Sequence, residues 1–224
     1  MQPGVRAAIS SVLGLGAFAL LLFIPAGTLA YWQAWAFLGV FIGVSLLPSL
    51  YLRRIDPAAF ERRRKAGATA ETRTVQKVIM TALPVSFAAL LVVSGLDHRF
   101  GWSSVPTAVS ILGDIMVAIG LGGAMLVIFQ NRYAAATITI EEGQTLATTG
   151  LYGIVRHPMY SASLVMMVGM PLALGSYWGL LVVALGTALL IIRILDEEKM
   201  LNQQLAGYPD YTRKVRYRLV PPVW

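Results

Sequence analysis

Residues 158–195 read PMYSASLVMMVGMPLALGSYWGLLVVALGTALLIIRIL, a run in which Arg193 is the one charged side chain. A helix crosses the hydrocarbon core of a bilayer with about 20 apolar residues. The run is too long for one crossing and has its breakers in the middle: Gly169, Pro171, Gly175 and Ser176. Proline withdraws a backbone donor and glycine loosens the chain, so the run divides into a hairpin of about 158–174 and 177–195. The alternative is a single tilted and kinked helix. Upstream, four more apolar stretches have spanning length, roughly 5–26, 31–52, 76–96 and 106–129. The reading is therefore an all-α polytopic membrane protein with about six transmembrane helices, closed by a C-terminal helical hairpin.

Composition agrees. The 224 residues are 57% hydrophobic and 13% charged, with a mean hydropathy of +0.68. A water-facing domain carries about 25% charged residues. The formal charge of +7 lies between apolar runs, which favours anionic lipid headgroups over nucleic acid. The absence of cysteine excludes disulfides, thiolate metal sites and a cysteine nucleophile; no metal site is expected. Arg6 precedes a long apolar run without a clean small-residue cleavage site, so the first helix is expected to be retained.

Cation placement tests the span count independently. With the N-terminus inside, the inner segments hold Arg6, Arg53, Arg54, Arg62, Arg63, Arg64, Lys65, Arg73, Lys77, Arg132, Arg156, Arg193, Lys199, Arg213, Lys214, Arg216 and Arg218. Only Arg99 falls outside. Trp32, Trp35, Trp102 and Trp178 sit near the outer span ends, as an aromatic belt would. Both termini are thus expected on the cytoplasmic side. Residues 1–130 form four spans, and 131–224 form the hairpin with its polar flanks, one integrated membrane domain. The basic loop 53–75 reads as a headgroup-binding segment or as a closure over a polar cofactor.

Two segments concentrate polar chemistry. Within 131–160, alternation in Thr137-Ile138-Thr139-Ile140 suggests a short extended piece, followed by a turn at Glu142-Gly143. Gly150 and Gly153 permit a tight path close to a ligand. Pro158 fits a first helical position, which puts Arg156 and His157 at a helix N-terminus that favours anionic groups. Within 193–205, Arg193 and Glu197 share a helix face, while Glu198 points about 100° away. Leu201 and Leu205 continue the apolar side as the helix leaves the membrane. Charges at a span end are commonly a solvated cap. Here both segments lie at the cytoplasmic mouths of one hairpin, which points to a zwitterionic or anionic ligand at the membrane face. Asp114 is the acid inside a span; it reads as satisfying a helix contact or pairing with His98 or Arg99, or as the residue a transporter would need.

Arg156-His157-Pro158-Met159-Tyr160, followed after one hairpin by Glu197-Glu198 and Leu201, resembles the isoprenylcysteine carboxyl methyltransferase and phospholipid methyltransferase superfamily. Thr149-Gly150-Leu151-Tyr152 also fits, as do Gly207-Tyr208-Pro209-Asp210-Tyr211 and Val215-Arg216-Tyr217-Arg218-Leu219-Val220-Pro221, so the resemblance covers about 131–222. It implies an integral-membrane enzyme with a cytoplasmic S-adenosylmethionine pocket and a tunnel for a lipophilic or prenylated methyl acceptor. By the same resemblance Gln144, Leu146, Ala147, Tyr152, His157, Pro158, Met159, Tyr160 and Glu197 line the cofactor. Arg193 holds the carboxylate of an isoprenylcysteine-like substrate. Three features depart from the pattern: Gln144 where relatives often have His, Ala162 where Gly often follows the Tyr, and a Glu197–Tyr208 spacing one residue short. A phospholipid amine or a small thiol are the alternative acceptors. A nicotinamide-dependent membrane reductase is the alternative enzyme, because sterol reductases share an Arg-His-Pro-like element.

Overall fold

The computed structural model describes residues 3–64, 71, 73–131 and 146–224. Regular structure among them is helical: α1 (Pro3–Ala26), α2 (Trp32–Ile55), α3 (Pro57–Arg64), α4 (Thr74–Phe100), α5 (Thr107–Gln130), α6 (Pro158–Ala173), α7 (Gly179–Gln204) and α8 (Tyr208–Lys214), with one 3-10 turn at Gly150–Gly153. Of these, α2, α4, α5 and α7 are long and apolar enough to cross a membrane. The apolar stretch described in α1, Gly14–Ala26, is shorter, as is α6 with its 16 residues. The expected extended piece at 137–140, the turn after it, Arg132 and Gln144 lie outside the described residues.

The run 158–195 does divide into two helices. Gly175 turns the chain between them with φ +69°, a left-handed conformation that costs glycine little. Contacts then run antiparallel: Gly179 lies against Pro171, Gly186 against Met167, and Glu197 bonds Tyr160. The second helix runs on past the span, as the shared face of Arg193 and Glu197 implied, and α7 continues unbroken through the acidic run to Gln204. The basic stretch after α2 differs from a plain loop, because Pro57 opens the short helix α3 there.

The helix pair α5–α6 packs at backbone distance. A Cβ at Gly113 would lie 2.2 Å from the Ala173 nitrogen, and one at Gly120 would lie 2.6 Å from the Ala162 oxygen. A Cβ at Gly123 would be 3.3 Å from the Ala162 Cβ, so bare positions on α5 leave room for the methyl that distinguishes Ala162 from the expected glycine. Gly113→Ala is accordingly expected to cost about 1–3 kcal/mol through overpacking. Gly122→Ala, which meets open space within 4 Å, should be neutral or slightly stabilising through helix propensity. Thermal midpoints of the two variants in detergent check this, and equal midpoints would refute the close packing.

Helices α1, α2, α4, α5, α6 and α7 enclose the main core, with Phe18, Leu22, Phe37, Leu91, Val117, Met170 and Leu174 buried. At one end of the bundle Asp97, 1% exposed, accepts bonds from Ser103 N (2.7 Å), Ser103 Oγ (2.7 Å) and Ser176 Oγ (2.6 Å). Tyr31 donates to the Leu174 oxygen and stacks on His98 at 3.8 Å. This end carries Trp32, Trp35, Trp102 and Trp178, each about half exposed. The sequence reading of Asp114 needs correction here. Asp97 is the acid that binds the helix ends together, whereas Asp114 Oδ1 is buried without a hydrogen-bond partner among the described residues.

Candidate functional site

The opposite end holds the polar segments, and their geometry begins at α6. Pro158 occupies the first turn as expected. Before it, Arg156 N donates to the Tyr217 oxygen (2.9 Å) and His157 N to the Arg218 oxygen (3.0 Å). The C-terminal tail is thereby paired to the Arg-His segment by its backbone. Ser161 Oγ adds a bond to the Leu219 oxygen at 2.7 Å.

Glu198 locks this arrangement. Its Oε1 accepts from Arg156 Nε at 2.7 Å and lies 3.1 Å from His157 Nε2, and its Oε2 accepts from Arg218 Nε at 2.9 Å. Arg156 Nη1 donates to the Val215 and Arg216 oxygens at 3.1 and 3.0 Å. The anion preference expected from Arg156 and His157 is therefore met inside the chain. A charge-assisted cluster of this kind fixes side chains strongly, so these two residues position the α6 entrance rather than offer a free cationic surface.

One residue away, Glu197 points elsewhere, as the helix period requires. Its Oε2 accepts from the Tyr160 hydroxyl at 2.7 Å, and Tyr160 in turn accepts from Arg193 Nε at 3.0 Å. Arg193, 3% exposed, donates through Nη1 to Gln76 Oε1 at 2.7 Å and through Nη2 to Glu71 Oε1 at 3.2 Å. Gln76 Nε2 bonds Asp196 Oδ2 at 2.6 Å, and Arg73 also bonds Asp196. Thus Tyr160, Arg193 and Glu197, expected from sequence, form one connected group. Glu71, Arg73 and Gln76, near the start of α4, complete it.

The remaining expected residues distribute around that group. Tyr152 accepts from Asn131 at 3.2 Å through its hydroxyl, and its carbonyl accepts from Tyr211 at 2.7 Å. Burial pushes the Tyr152 phenol up; the Asn131 bond opposes this and the Glu197 charge adds to it. Burial likewise raises Tyr208 and Tyr211. All three phenols stay protonated at neutral pH and are not bases; the Tyr208 hydroxyl is buried without a hydrogen-bond partner among the described residues. Leu146 packs with Leu201, Leu205, Tyr208 and Tyr211, and Ala147 beside it is half-buried. Met159 turns the other way, onto Leu52, Met125 and Ile128. His157 stacks on Tyr160 with centroids 5.6 Å apart.

Beyond the polar group, α4, α6 and α7 line a half-open apolar cavity of about 300 Å³ with Met80, Pro84, Phe87, Met167, Met170 and Gly186 among its walls. Pro84, in the wall of this cavity, has no N–H to donate to the Met80 carbonyl. At 1.5 Å rise per residue, Met80 is about 6 Å along α4 from Gln76, and Gly186 about 10 Å along α7 from Arg193. The polar group and the cavity are consecutive along the same helices.

Fold and site together define an integral membrane helical bundle with a polar, ligand-sized constellation at one end and an apolar cavity behind it. Residues 108–206 match the family described as phospholipid methyltransferase, within the isoprenylcysteine and phospholipid methyltransferase superfamily. The match begins in α5 and ends past α7, so it contains the glycine-packed pair and most of the site. A Delta(14)-sterol reductase of Mus musculus is 33% identical over 91 residues, a stretch that covers 39% of this chain and 22% of the reductase. The family suggests a membrane methyltransferase.

Glu198, Arg218, Glu71 and Gln76 are functional-end residues that sequence reasoning assigned no role. Their partners lie 20–122 positions away. The readable signal was the imbalance: three basic side chains, Arg156, His157 and Arg218, in the flanks of a helix exit rich in acids.

Proposed function

We propose that this chain is an S-adenosylmethionine-dependent methyltransferase of the cytoplasmic membrane face that modifies the carboxylate of an isoprenylcysteine-like lipophilic acceptor. The observation that carries the reading is the polar group Tyr160–Arg193–Glu197 at the head of an apolar cavity. The donor set fits the cofactor. Glu197 has an oxygen, Oε1, without a hydrogen bond among the described residues, suited to an ammonium or ribose hydroxyl. Tyr152 and the Tyr160–His157 stack offer aromatic and neutral polar surface for a nucleoside.

When bound, S-adenosylmethionine supplies an electrophilic methyl group on a sulfonium. The chain's own work is alignment. An acceptor carboxylate is ionised near neutral pH and needs no base, so holding it in line with the methyl is the main contribution. Arg193 is kept flat and fixed by Tyr160, Gln76 and Glu71. An acceptor carboxylate reaches the guanidinium by taking the place of Glu71 at Nη2, one carboxylate exchanged for another. The hydrocarbon tail then runs along α4, α6 and α7 into the apolar cavity, where water is excluded. An amine or thiol acceptor needs a proton to leave, for which His157 or Tyr160 are the candidates.

Calorimetry on the purified chain tests the cofactor. Micromolar binding of S-adenosylhomocysteine is expected, lost in Glu197→Ala. The likeness to the mouse sterol reductase supports a second reading, a nicotinamide-dependent reductase. Binding of NADPH in place of S-adenosylhomocysteine would establish it and reject the first. Radiolabelled methyl transfer to farnesylcysteine analogues, lipid extracts and small thiols in parallel separates the acceptors. Transfer only to lipid amines or thiols would overturn the carboxylate assignment.

A further inference from the structure

We infer that Gly186 on α7 and Met167 on α6 form a size filter that limits how bulky an acceptor tail the apolar cavity admits; this rests on the lipophilic-acceptor reading above. The glycines of the bundle divide by what an added Cβ would meet. At Gly113, Gly120 and Gly169 it would strike a neighbouring helix backbone at 2.2–2.8 Å. At Gly179 it would strike the Pro171 Cβ at 2.6 Å. Those positions are bare so that helices can approach.

Gly186 is bare for another reason. The one atom within 4 Å of a Cβ there is the Met167 Cε, at 2.6 Å. No backbone presses on it, so close approach of α6 and α7 does not require a glycine at this level. Both residues line the cavity. Glycine inside a helix is unfavourable relative to alanine, and what this one accommodates is the Met167 terminal methyl at the cavity wall.

The filter is soft by construction. A side chain at 186 would displace the flexible thioether of Met167, and the cavity is the space beside it. Met80, Met166 and Met170 line the same walls. Methionine has three rotatable bonds and a polarisable sulfur, so it fits tails of different shape without fixing one. With about 300 Å³ the cavity is at the small end of ligand pockets, and the volume of one side chain changes what it admits. Gly186 lies about 10 Å along α7 from Arg193, seven residues at 1.5 Å each. It therefore meets the middle of a tail and not the reacting head.

The test uses the full chain in detergent with two probes, N-acetyl-S-farnesylcysteine and N-acetyl-S-pentylcysteine, each also made with a diazirine at the tail end. Wild type should transfer methyl to both, and the farnesyl diazirine should label the peptide containing Met166, Met167 and Met170. Gly186→Leu should raise KM for the farnesyl acceptor about ten-fold or more. It should leave the pentyl acceptor and S-adenosylhomocysteine affinity unchanged, and abolish that label. If the leucine variant does not fold, Gly186→Ala serves, with Met167→Ala added to restore the farnesyl acceptor. An equal KM change for both acceptors, or labelling that persists at the same peptide, overturns the filter. Labelling of wild type that Gly186→Leu abolishes, without methyl transfer to either probe, upholds the filter and rejects the carboxylate-acceptor reading. Wild-type labelling spread over lipid-facing residues rejects the filter alone.

Discussion

Glu198→Ala is expected to destabilise the chain by about 3–5 kcal/mol, the cost of breaking a buried ion pair by removing one partner. The variant leaves Arg156, 8% exposed, without its carboxylate and releases Arg218 and His157 together. The tail residues 217 and 218 then lose the side-chain lock that reinforces their backbone pairing to 156 and 157. Glu198→Gln keeps an acceptor oxygen but not the charge and should fall between. The neighbouring Glu197→Ala removes a half-buried group with one bond, from Tyr160, and should cost far less. Thermal midpoints of the purified variants, followed by size-exclusion chromatography in detergent, give the order. A loss for Glu197→Ala equal to that for Glu198→Ala would reject the division of the two adjacent acids into a functional and a structural one.

Arg193→Ala should lower turnover about 100-fold or more, the scale associated with misplacing a reacting group by an ångström, while S-adenosylhomocysteine affinity is retained. The variant also removes one ionic partner of Glu71, 3% exposed, so stability falls as well. Adding Glu71→Gln relieves the charge left behind. The double variant should regain stability but not turnover, which separates the two roles of the arginine. Arg193→Lys keeps the charge and loses the planar fork that addresses Tyr160, Gln76 and Glu71 at once; it should behave more like alanine than like wild type. A parallel loss of S-adenosylhomocysteine affinity would move Arg193 into the cofactor pocket.

What could be read from sequence had a local cause. The spans follow from apolar length, and the division of 158–195 follows from Gly175, whose positive φ is a property of that residue. Pro158 announced the start of α6, and the 100° step between Glu197 and Glu198 announced that they face different partners. Their partners were not legible. Glu71 and Arg193 are 122 residues apart, and Gln76 and Arg193 are 117 apart, so only the tertiary fold brings them together. The helix α3 had a readable sign, Asp56 followed by Pro57, but the basic run after it drew attention to charge. The cavity had no sequence signature, because it is the space left among methionines and a proline. Its one clue was a glycine in mid-helix at 186, indistinguishable in sequence from the packing glycines of α5.

The knot around Asp97 has a mechanical consequence. It ties the α4–α5 connection to the α6–α7 turn through Ser103 and Ser176, and Tyr31 fastens the start of α2 to the same turn through the Leu174 oxygen. The same helices are bonded again at the far tips, α6 to α7 through Tyr160, Glu197 and Arg193, and α4 to α7 through Gln76. The bundle is therefore clamped at both ends, and the apolar cavity lies between the two clamps.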